Sequence, residues 1–475
     1  MQPEYSVPSN LPAPVAAAVC QLGRLLTGVL SEPAVEIDLL SVEGQVRELV
    51  AAVERATVQV VLEHLDIDAV HLVINGERHR RVGRHEAPYL TGAGEVRVER
   101  SLYRRGDGRA VSTVDVLGGI VDGWVTPRAA MVACFLVAET PPGMAQDLLV
   151  RVGGMAPSRS TLDRLPKVVS EGWEAHRERY ESALEASLEV PAEAVTVAVS
   201  LDGVMVPMKD GDRAAKRAQT RAAGRPPSGP AGFREVGCGT LTLYDADGER
   251  LTTRRFARMP ERNKASLKRS LHNGLEDILG KRPELRLVKV ADGARDNWTF
   301  LSGDLPDGVE VLDFYHAVEH LSRALAAAYG ESSHEYQRMH ERLRHKLRDN
   351  EKGVEQVIRS LRHLARKNPR SKTIRTELAY FRKNRRRMQY AAVAALGLPI
   401  GSGVVEAACK TLASTRMKRS GMRWGHPGGQ AILTLRSRQQ SGEFDVTWEL
   451  LHADRVGTVQ NLREAPQEQA LRAVA

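Results

Sequence analysis

The most constraining stretch of the chain begins at Pro191, where helical periodicity gives way to a continuous run, Ala194 to Leu201 (AVTVAVSL), ended by Asp202. A run of that length with no charged residue fits a strand buried on both faces, which requires a sheet covered above and below. Strand-like runs follow at 234–244 and 250–257, joined by Asp245-Ala-Asp-Gly248, a hairpin turn signal. A helix is expected over 261–280, then a fourth strand, Leu285–Ala291, and a fifth, Val309–Leu312. Between the first two runs lies a polar loop, Lys209 to Gly232, rich in Lys, Arg, Gly and Pro.

The resulting order, β-β-β-α-β-α-β, is that of the ribonuclease-H-like fold. The alternation then stops. Val354, Val357, Ile358, Leu361, Leu364 and Ala365 form a helical stripe; Tyr336, Met339, Leu343 and Leu347 form another, and Ile374, Leu378 and Phe381 a third. The reading is an α/β catalytic core at 191–316 and 396–450, interrupted by an all-α insertion at 317–395.

The N-terminal part is of a different kind. Residues 1–75 read as a helical region, with Val46, Leu49, Val50 and Val53 at helical spacing. Residues 76–190 read as an α+β region. In it Val96, Val98 and Leu102 alternate with polar residues, as in a β-ribbon, and Arg78, Arg80, Arg81 and Arg84 precede them. Helices at 144–150 and 158–171 flank Arg151-Val-Gly-Gly154, with Ser158 as N-cap of the second. Short helices around a glycine turn occur in helix-turn-helix modules and in plain αα-hairpins alike. Arg159 and Arg164 are the DNA-contact candidates there. Residues 451–475 are expected to be a tail.

Composition sets limits. A hydrophobic content of 42% excludes wholesale disorder, and aromatics at 5% point to aliphatic packing. Cys20, Cys134, Cys238 and Cys409 contain no C-x-x-C pair, against a zinc knuckle or disulfide framework and in keeping with a reducing cytoplasm. The longest uninterrupted apolar run, Ala129 to Ala138, is about half of what a bilayer needs, so no membrane association is expected. The formal charge of +9 is uneven: 331–390 holds 18 Lys+Arg against 7 Asp+Glu, and 391–440 holds 7 against 1. A polyanionic partner is expected on that basic stretch.

Three acids stand in informative places. Asp202 and Asp292 each directly follow a strand, in Ser-Leu-Asp-Gly-Val and Val-Ala-Asp-Gly-Ala. Glu406 lies at the start of a helix that Ser402 could cap. Carboxylates at the ends of adjacent central strands, joined by one from a flanking helix, can converge on two Mg²⁺ ions, and hard oxygen ligands suit that cation. Singly, each also has a structural reading: an Asp-Gly turn, or a helix-start Glu paired with Lys410.

Taken together, Val290-Ala-Asp-Gly-Ala294, Leu312-Asp-Phe-Tyr-His-Ala-Val-Glu-His-Leu321, Gly401-Ser-Gly-Val-Val-Glu-Ala-Ala-Cys-Lys410 and Lys418-Arg-Ser-Gly-Met-Arg-Trp424 resemble the DDE transposases of ISKra-type insertion sequences. The resemblance covers 190–450 strongly and 80–180 loosely. It implies a ribonuclease-H-like core with a helical insertion between the second and third acids. Asp202, Asp292 and Glu406 are then the catalytic triad and the ligands of two Mg²⁺ ions, with Mn²⁺ able to substitute.

The partners so implied are DNA, both the element's terminal repeats and the target, with a homodimer or higher oligomer on paired ends. A bacterial, nucleoid-associated, cytoplasmic setting goes with them. Asp313, in Asp-Phe-Tyr-His316, is the rival second acid, because related transposases carry an Asp/Cys-x-x-His signature there. His316 is expected to contact substrate phosphate or to hydrogen bond at a helix start. Lys410, Arg416, Lys418, Arg419 and Arg423 are expected to meet DNA phosphates. Trp424 either stacks on an unpaired base or packs into the core. The chain departs from the family in having no cysteine in Leu102-Tyr-Arg-Arg-Gly-Asp107. His316-Ala-Val-Glu-His320 also fits the inverted zinc-peptidase pattern H-x-x-E-H. Rival functions of other kinds are a DNA-binding protein that no longer cuts and a structure-selective nuclease.

Overall fold

The structure, a computed structural model, describes residues 10–209, 211–226 and 232–461. The chain divides into two compact units, Met1–Ala175 with Asp445–Ala475, and His176–Phe444. It is a mixed α/β protein: N-terminal helices and an antiparallel sheet, then a mixed sheet with parallel strands followed by many helices.

The first unit opens with two helices, α1 (Ala13–Ser31) and α2 (Leu39–His64), packed on each other. By length and composition α1 is apolar enough to cross a membrane. Counting only uninterrupted apolar residues passed over it, because Gln21, Arg24 and Thr27 break the run. Strands β1 (His71–Ile74), β2 (Glu77–Thr91), β3 (Gly94–Arg104) and β4 (Val111–Ser112) follow, all antiparallel. The ribbon β2–β3 buries Val96 and Val98 in a cluster with Leu62 of α2. Past a register shift between Arg81 and Gly83, Ser101 and Tyr103 are buried instead of Leu102. Extra chain in one strand turns the ribbon and changes which face is covered.

Helix α3 (Pro127–Glu139) buries Ala130, Cys134 and Val137 along one side. Helices α4 (Pro142–Leu148) and α5 (Arg159–Ala175) form the expected pair, separated by a π-helical turn that ends at Gly154 in the left-handed region (φ 70°). The Ser158 hydroxyl accepts from the Thr161 N–H, 3.1 Å away, as an N-cap does. From the expected tail, Val459–Asn461 pairs antiparallel with β1 and closes this sheet; residues 462–475 lie outside the described residues.

The second unit begins with α6 (Arg177–Ser187), which the sequence reading assigned to the preceding region. Tyr180 and Leu184 are buried on it, and Glu181 accepts from Ser270 of the helix below, 2.8 Å away. Then come β5 (Thr196–Pro207), β6 (Phe233–Tyr244), β7 (Arg250–Arg258), α7 (Ala265–Lys281), β8 (Arg286–Ala291), α8 (Arg295–Gly303) and β9 (Val309–Leu312). The expected loop after β5 contains a helix, Gly211–Ala222; residues 210 and 227–231 lie outside the described residues. The sheet order is β7-β6-β5-β8-β9, with β5, β6 and β7 antiparallel and β8 and β9 parallel to β5. Gly237 and Gly239 of β6 let α7 approach closely: a Cβ at Gly239 would lie 2.6 Å from Leu271 Cδ1.

Four helices extend the unit: α9 (Phe314–Tyr329), α10 (His334–Asp349), α11 (Gly353–Lys367) and α12 (Lys372–Asn384). They bury Leu343, Val354, Ile358, Leu361, Ile374 and Phe381 of the stripes read from sequence, together with Leu321, in the same cluster as Val288, Val311 and Leu312 of the sheet. The helical segment therefore shares one core with the sheet. The other face of the sheet carries α13 (Gly403–Ala408), a π-helical turn Cys409–Ser414 and α14 (His426–Gln440), which pack Val405, Leu412 and Leu433 on Val206, Val236 and Cys238.

Candidate functional site

Strand register brings three acids to one level. Ser200 of β5 lies beside Val290 of β8, and Ala291 of β8 beside Leu312 of β9. Counting on from those pairs sets Asp202, Asp292 and Asp313 side by side, with about 5 Å between neighbours. They stand just past the C-terminal ends of β8 and β9 and where the parallel pairing of β5 with β8 stops, β5 itself running on beside β6. Ligand crevices of open α/β sheets form at such ends.

Each carboxylate has its own surroundings. Asp202 Oδ1 accepts from the Gly203 N–H at 2.7 Å, and Cys409 Sγ stands 3.8 Å from Oδ2. Burial holds the Asp202 carboxyl above its ordinary range; the Gly203 amide opposes this, the charge of Asp292 adds to it, and Lys264 and His316 oppose it. Asp292 Oδ1 accepts from the Ala294 N–H and from Asn297 Nδ2, both at 3.0 Å, whereas Oδ2 has no donor among the described residues. Asn297 also reaches the Leu201 carbonyl, 3.4 Å away, and so ties the end of β8 to β5.

Asp313 differs from both. It is fully buried, and both of its oxygens are taken. Oδ1 caps α9 by accepting from the His316 N–H at 2.6 Å, while Oδ2 accepts from the Ser402 N–H and from Ser402 Oγ at 2.8 Å. Ser402 Oγ also lies 2.8 Å from Glu406 Oε1. A hydroxyl has one proton, so it cannot donate fully to two ionised carboxylates at once. Ser402 does not cap its helix through its side chain, as expected from sequence; it joins Glu406 to Asp313 instead. Glu406 is exposed and makes no ion pair with Lys410.

No ion pair neutralises Asp202, Asp292, Asp313 or Glu406 among the described residues. Of the cations that bear on Asp202, Lys264 pairs with Glu235 at 3.0 Å and His316 faces Glu319 at 3.4 Å. Such a set of hard oxygens without a countercharge fits Mg²⁺ in its chemistry. Among the described residues, though, no three His, Cys, Asp or Glu side chains stand together as a finished ligand set. The carboxylates that could take part in holding an ion are Asp202, Asp292 and Glu406, the last bonded to Ser402. The H-x-x-E-H pattern does not assemble a zinc site. His320 Nδ1 is bonded to Glu377, which also accepts from Arg323 Nε at 3.2 Å.

The basic candidates separate by exposure. Lys410, Lys418, Arg419 and Arg423 are exposed, and His316 is half-buried. Arg416, expected at the DNA, is only 2% exposed, with its guanidinium 5.2 Å from the Trp424 ring centre. Trp424 Nε1 donates to the Met417 carbonyl at 2.9 Å, and the Trp424 backbone bonds to both Pro207 and Lys209. Its half-buried ring packs on one side against the cluster around Val405 and Met417. A sequence pattern of cations around a tryptophan does not reveal which of them turns inward.

In the first unit, Arg159 is exposed and donates to Gln146, and Arg164 is bound to Asp122 at 2.5 Å. The ribbon arginines are neutralised in part: Arg81 by Asp68, Arg84 by Asp66 and Asp68, Arg97 by Glu86 and Glu95, and Arg100 by Asp115, whereas Arg78, Arg80 and Arg104 form no ion pair among the described residues. Sequence reasoning missed Asn297, Ser402 as a bridge and Tyr380, which presses on Gly293. Only Ser402 lay inside a motif.

No protein-family model matches the chain, and no curated protein is significantly similar to it.

Proposed function

We propose that the second unit is a ribonuclease-H-like nucleic-acid strand-transfer core and the protein a DDE transposase. It would cut DNA at element ends and join the freed 3′-hydroxyl to target DNA. The observation that carries this reading is the row of carboxylates where the parallel strand pairing stops, with no ion pair among the described residues, and Glu406 of a flanking helix tied to it through Ser402 and Asp313. The strand order β7-β6-β5-β8-β9, with a helical segment between the second and third acids, supports it as well.

In this reading Asp202, Asp292 and Glu406 hold two Mg²⁺ or Mn²⁺ ions, which when bound supply Lewis acidity to the phosphodiester and its attacking oxygen. The chain's own groups do the rest. Asn297 and the Ala294 amide fix the rotamer of Asp292, leaving Oδ2 outward. Asp313 locks the start of α9 to the loop before α13, so that Glu406 is delivered to the row. Lys410, Lys418, Arg419 and Arg423 would bind phosphates along the strand, each contact adding salt dependence. An end complex formed by two or more copies would bring both element ends together.

The test is cleavage and joining of labelled element-end oligonucleotides with target plasmid and Mg²⁺ or Mn²⁺, wild type beside Asp202→Asn and Asp292→Asn. Metal-dependent nicking and joining lost in both variants is the expected result. Binding without cleavage would refute the enzyme reading in favour of a DNA-binding protein. Cleavage without joining would point to a nuclease on the same scaffold.

A further inference from the structure

Tyr380 of α12 is carried into the acid cluster by the helical segment. Its ring is so close to Gly293 that a Cβ there would lie 2.6 Å from Tyr380 Cε2 and 2.7 Å from Oη. Gly293 follows Asp292 directly, so the phenol sits against the end of β8. The ring is stacked on His320, centroids 3.4 Å apart and planes 12° from parallel. His320 is fixed by Glu377, one turn before Tyr380 on the same helix, and Arg323 holds the other oxygen of Glu377. The ring is therefore clamped from behind by a histidine that a carboxylate immobilises.

The tip of this clamped ring has no partner. Tyr380 Oη is shielded from solvent and forms no hydrogen bond among the described residues. A buried hydroxyl without a partner is costly, and such groups call for an explanation. Burial first, then the charge of Asp292, with Asp313 and Glu377 adding and Arg323 opposing, pushes the phenol up, so that its oxygen carries a proton to donate. Asp292, the residue before Gly293, has two donors on Oδ1 and none on Oδ2 among the described residues. The unpartnered phenol therefore lies beside the strand end that carries a carboxylate oxygen still open to a donor.

We propose that Tyr380 is a positioning residue for Asp292, its phenolic O–H being the donor reserved for Oδ2 when that carboxylate turns to take a divalent cation. The helical segment would then act on the acid row as well as on DNA. This rests on the cation-binding reading of the acids. A merely structural role gives the same relief of stability when the unpartnered hydroxyl is removed but leaves cation affinity unchanged, so affinity is the readout that separates the two.

The experiment measures Mn²⁺ binding to the full chain by calorimetry without DNA, beside thermal unfolding, for wild type, Tyr380→Phe, Gly293→Ala and Asp292→Asn. The expected result for Tyr380→Phe is Mn²⁺ affinity weakened about tenfold, the worth of one hydrogen bond to a charged group, with a Tm equal to or above wild type. Gly293→Ala, which displaces the ring, should weaken affinity similarly. Unchanged affinity in Tyr380→Phe together with loss in Asp292→Asn would overturn the role of Tyr380 and leave the acids as cation ligands. Absence of Mn²⁺ binding in the wild type would overturn the cation reading, and this inference with it.

Discussion

Asp313 and Asp292 occupy equivalent positions at the ends of neighbouring strands, yet replacing each by asparagine should have opposite consequences. Asp313 is fully buried and accepts the His316 N–H on one oxygen and two donors from Ser402 on the other. An amide has one acceptor, and whichever way it is turned its NH₂ faces an N–H. Turned one way, the cap of α9 is lost, at about 1 kcal/mol. Turned the other way, the Ser402 N–H is left buried without a partner, at about 1–3 kcal/mol. With the lost charge-assisted character added, Asp313→Asn should cost about 2–4 kcal/mol. For a unit of this size that is a fall in Tm of about 4–12 °C.

Asp292→Asn keeps an amide oxygen for Ala294 and Asn297 and places its NH₂ where Oδ2 has no donor. Its stability should stay within about 1 kcal/mol of wild type, while metal-dependent cleavage is lost. Thermal unfolding of both variants beside the cleavage assay decides the matter. An Asp313→Asn protein that melts with wild type but no longer cuts would refute the reasoning and make Asp313 the second acid.

Two further outcomes follow from side chains already placed. Arg416→Ala should lower Tm, since a buried guanidinium beside Trp424 is lost. Lys418→Ala should leave Tm unchanged and reduce the slope of log affinity for DNA against log salt by about 1, as one phosphate contact does; a salt titration with thermal melts of both variants checks this. Burial pushes the Glu185 carboxyl up to about 7, Arg254 and Arg438 opposing and Glu181 and Asp277 adding to it. The folded chain then binds a proton that the unfolded chain releases nearer its ordinary range. Stability should therefore fall as pH rises from about 4.5 to 7, and Glu185→Gln should flatten that dependence in a Tm series across pH.

Much of the second unit was legible in residues 191–316, because strands buried on both faces and turns such as Asp-Ala-Asp-Gly write themselves as composition. Each of the five expected strands lies within two residues of its place at either end, apart from the extension of β5 to Pro207. That extension escaped notice because Asp202 and Gly203 read as a turn, whereas the backbone runs on paired with β6 through Phe233. The helical stripes of 336–381 were legible as well, but not their fusion with the sheet core, since periodicity identifies a buried face and not what covers it. At the site, Asp202 and Asp292 could be singled out from strand ends. The commitment of Asp313 to Ser402, 89 residues on, could not, because nothing local distinguishes a capping carboxylate from a free one. Arg416, turned inward beside Trp424, and the paired ribbon arginines Arg81, Arg84, Arg97 and Arg100 show the same limit: charge is visible in sequence, and its burial or neutralisation is not.

The pairing of Val459–Asn461 with β1 has a consequence during synthesis. The sheet of the first unit begins with the residues near His71 and is closed by residues made almost four hundred positions later. On the ribosome, His176–Phe444 has emerged entire while one edge of β1 still lacks its partner. For that interval the nascent chain holds a finished acid row and an unpaired strand edge, the kind of edge that recruits other strands. Ribosomes that stall or stop after Phe444 would release chains whose second unit is whole and whose first sheet cannot close.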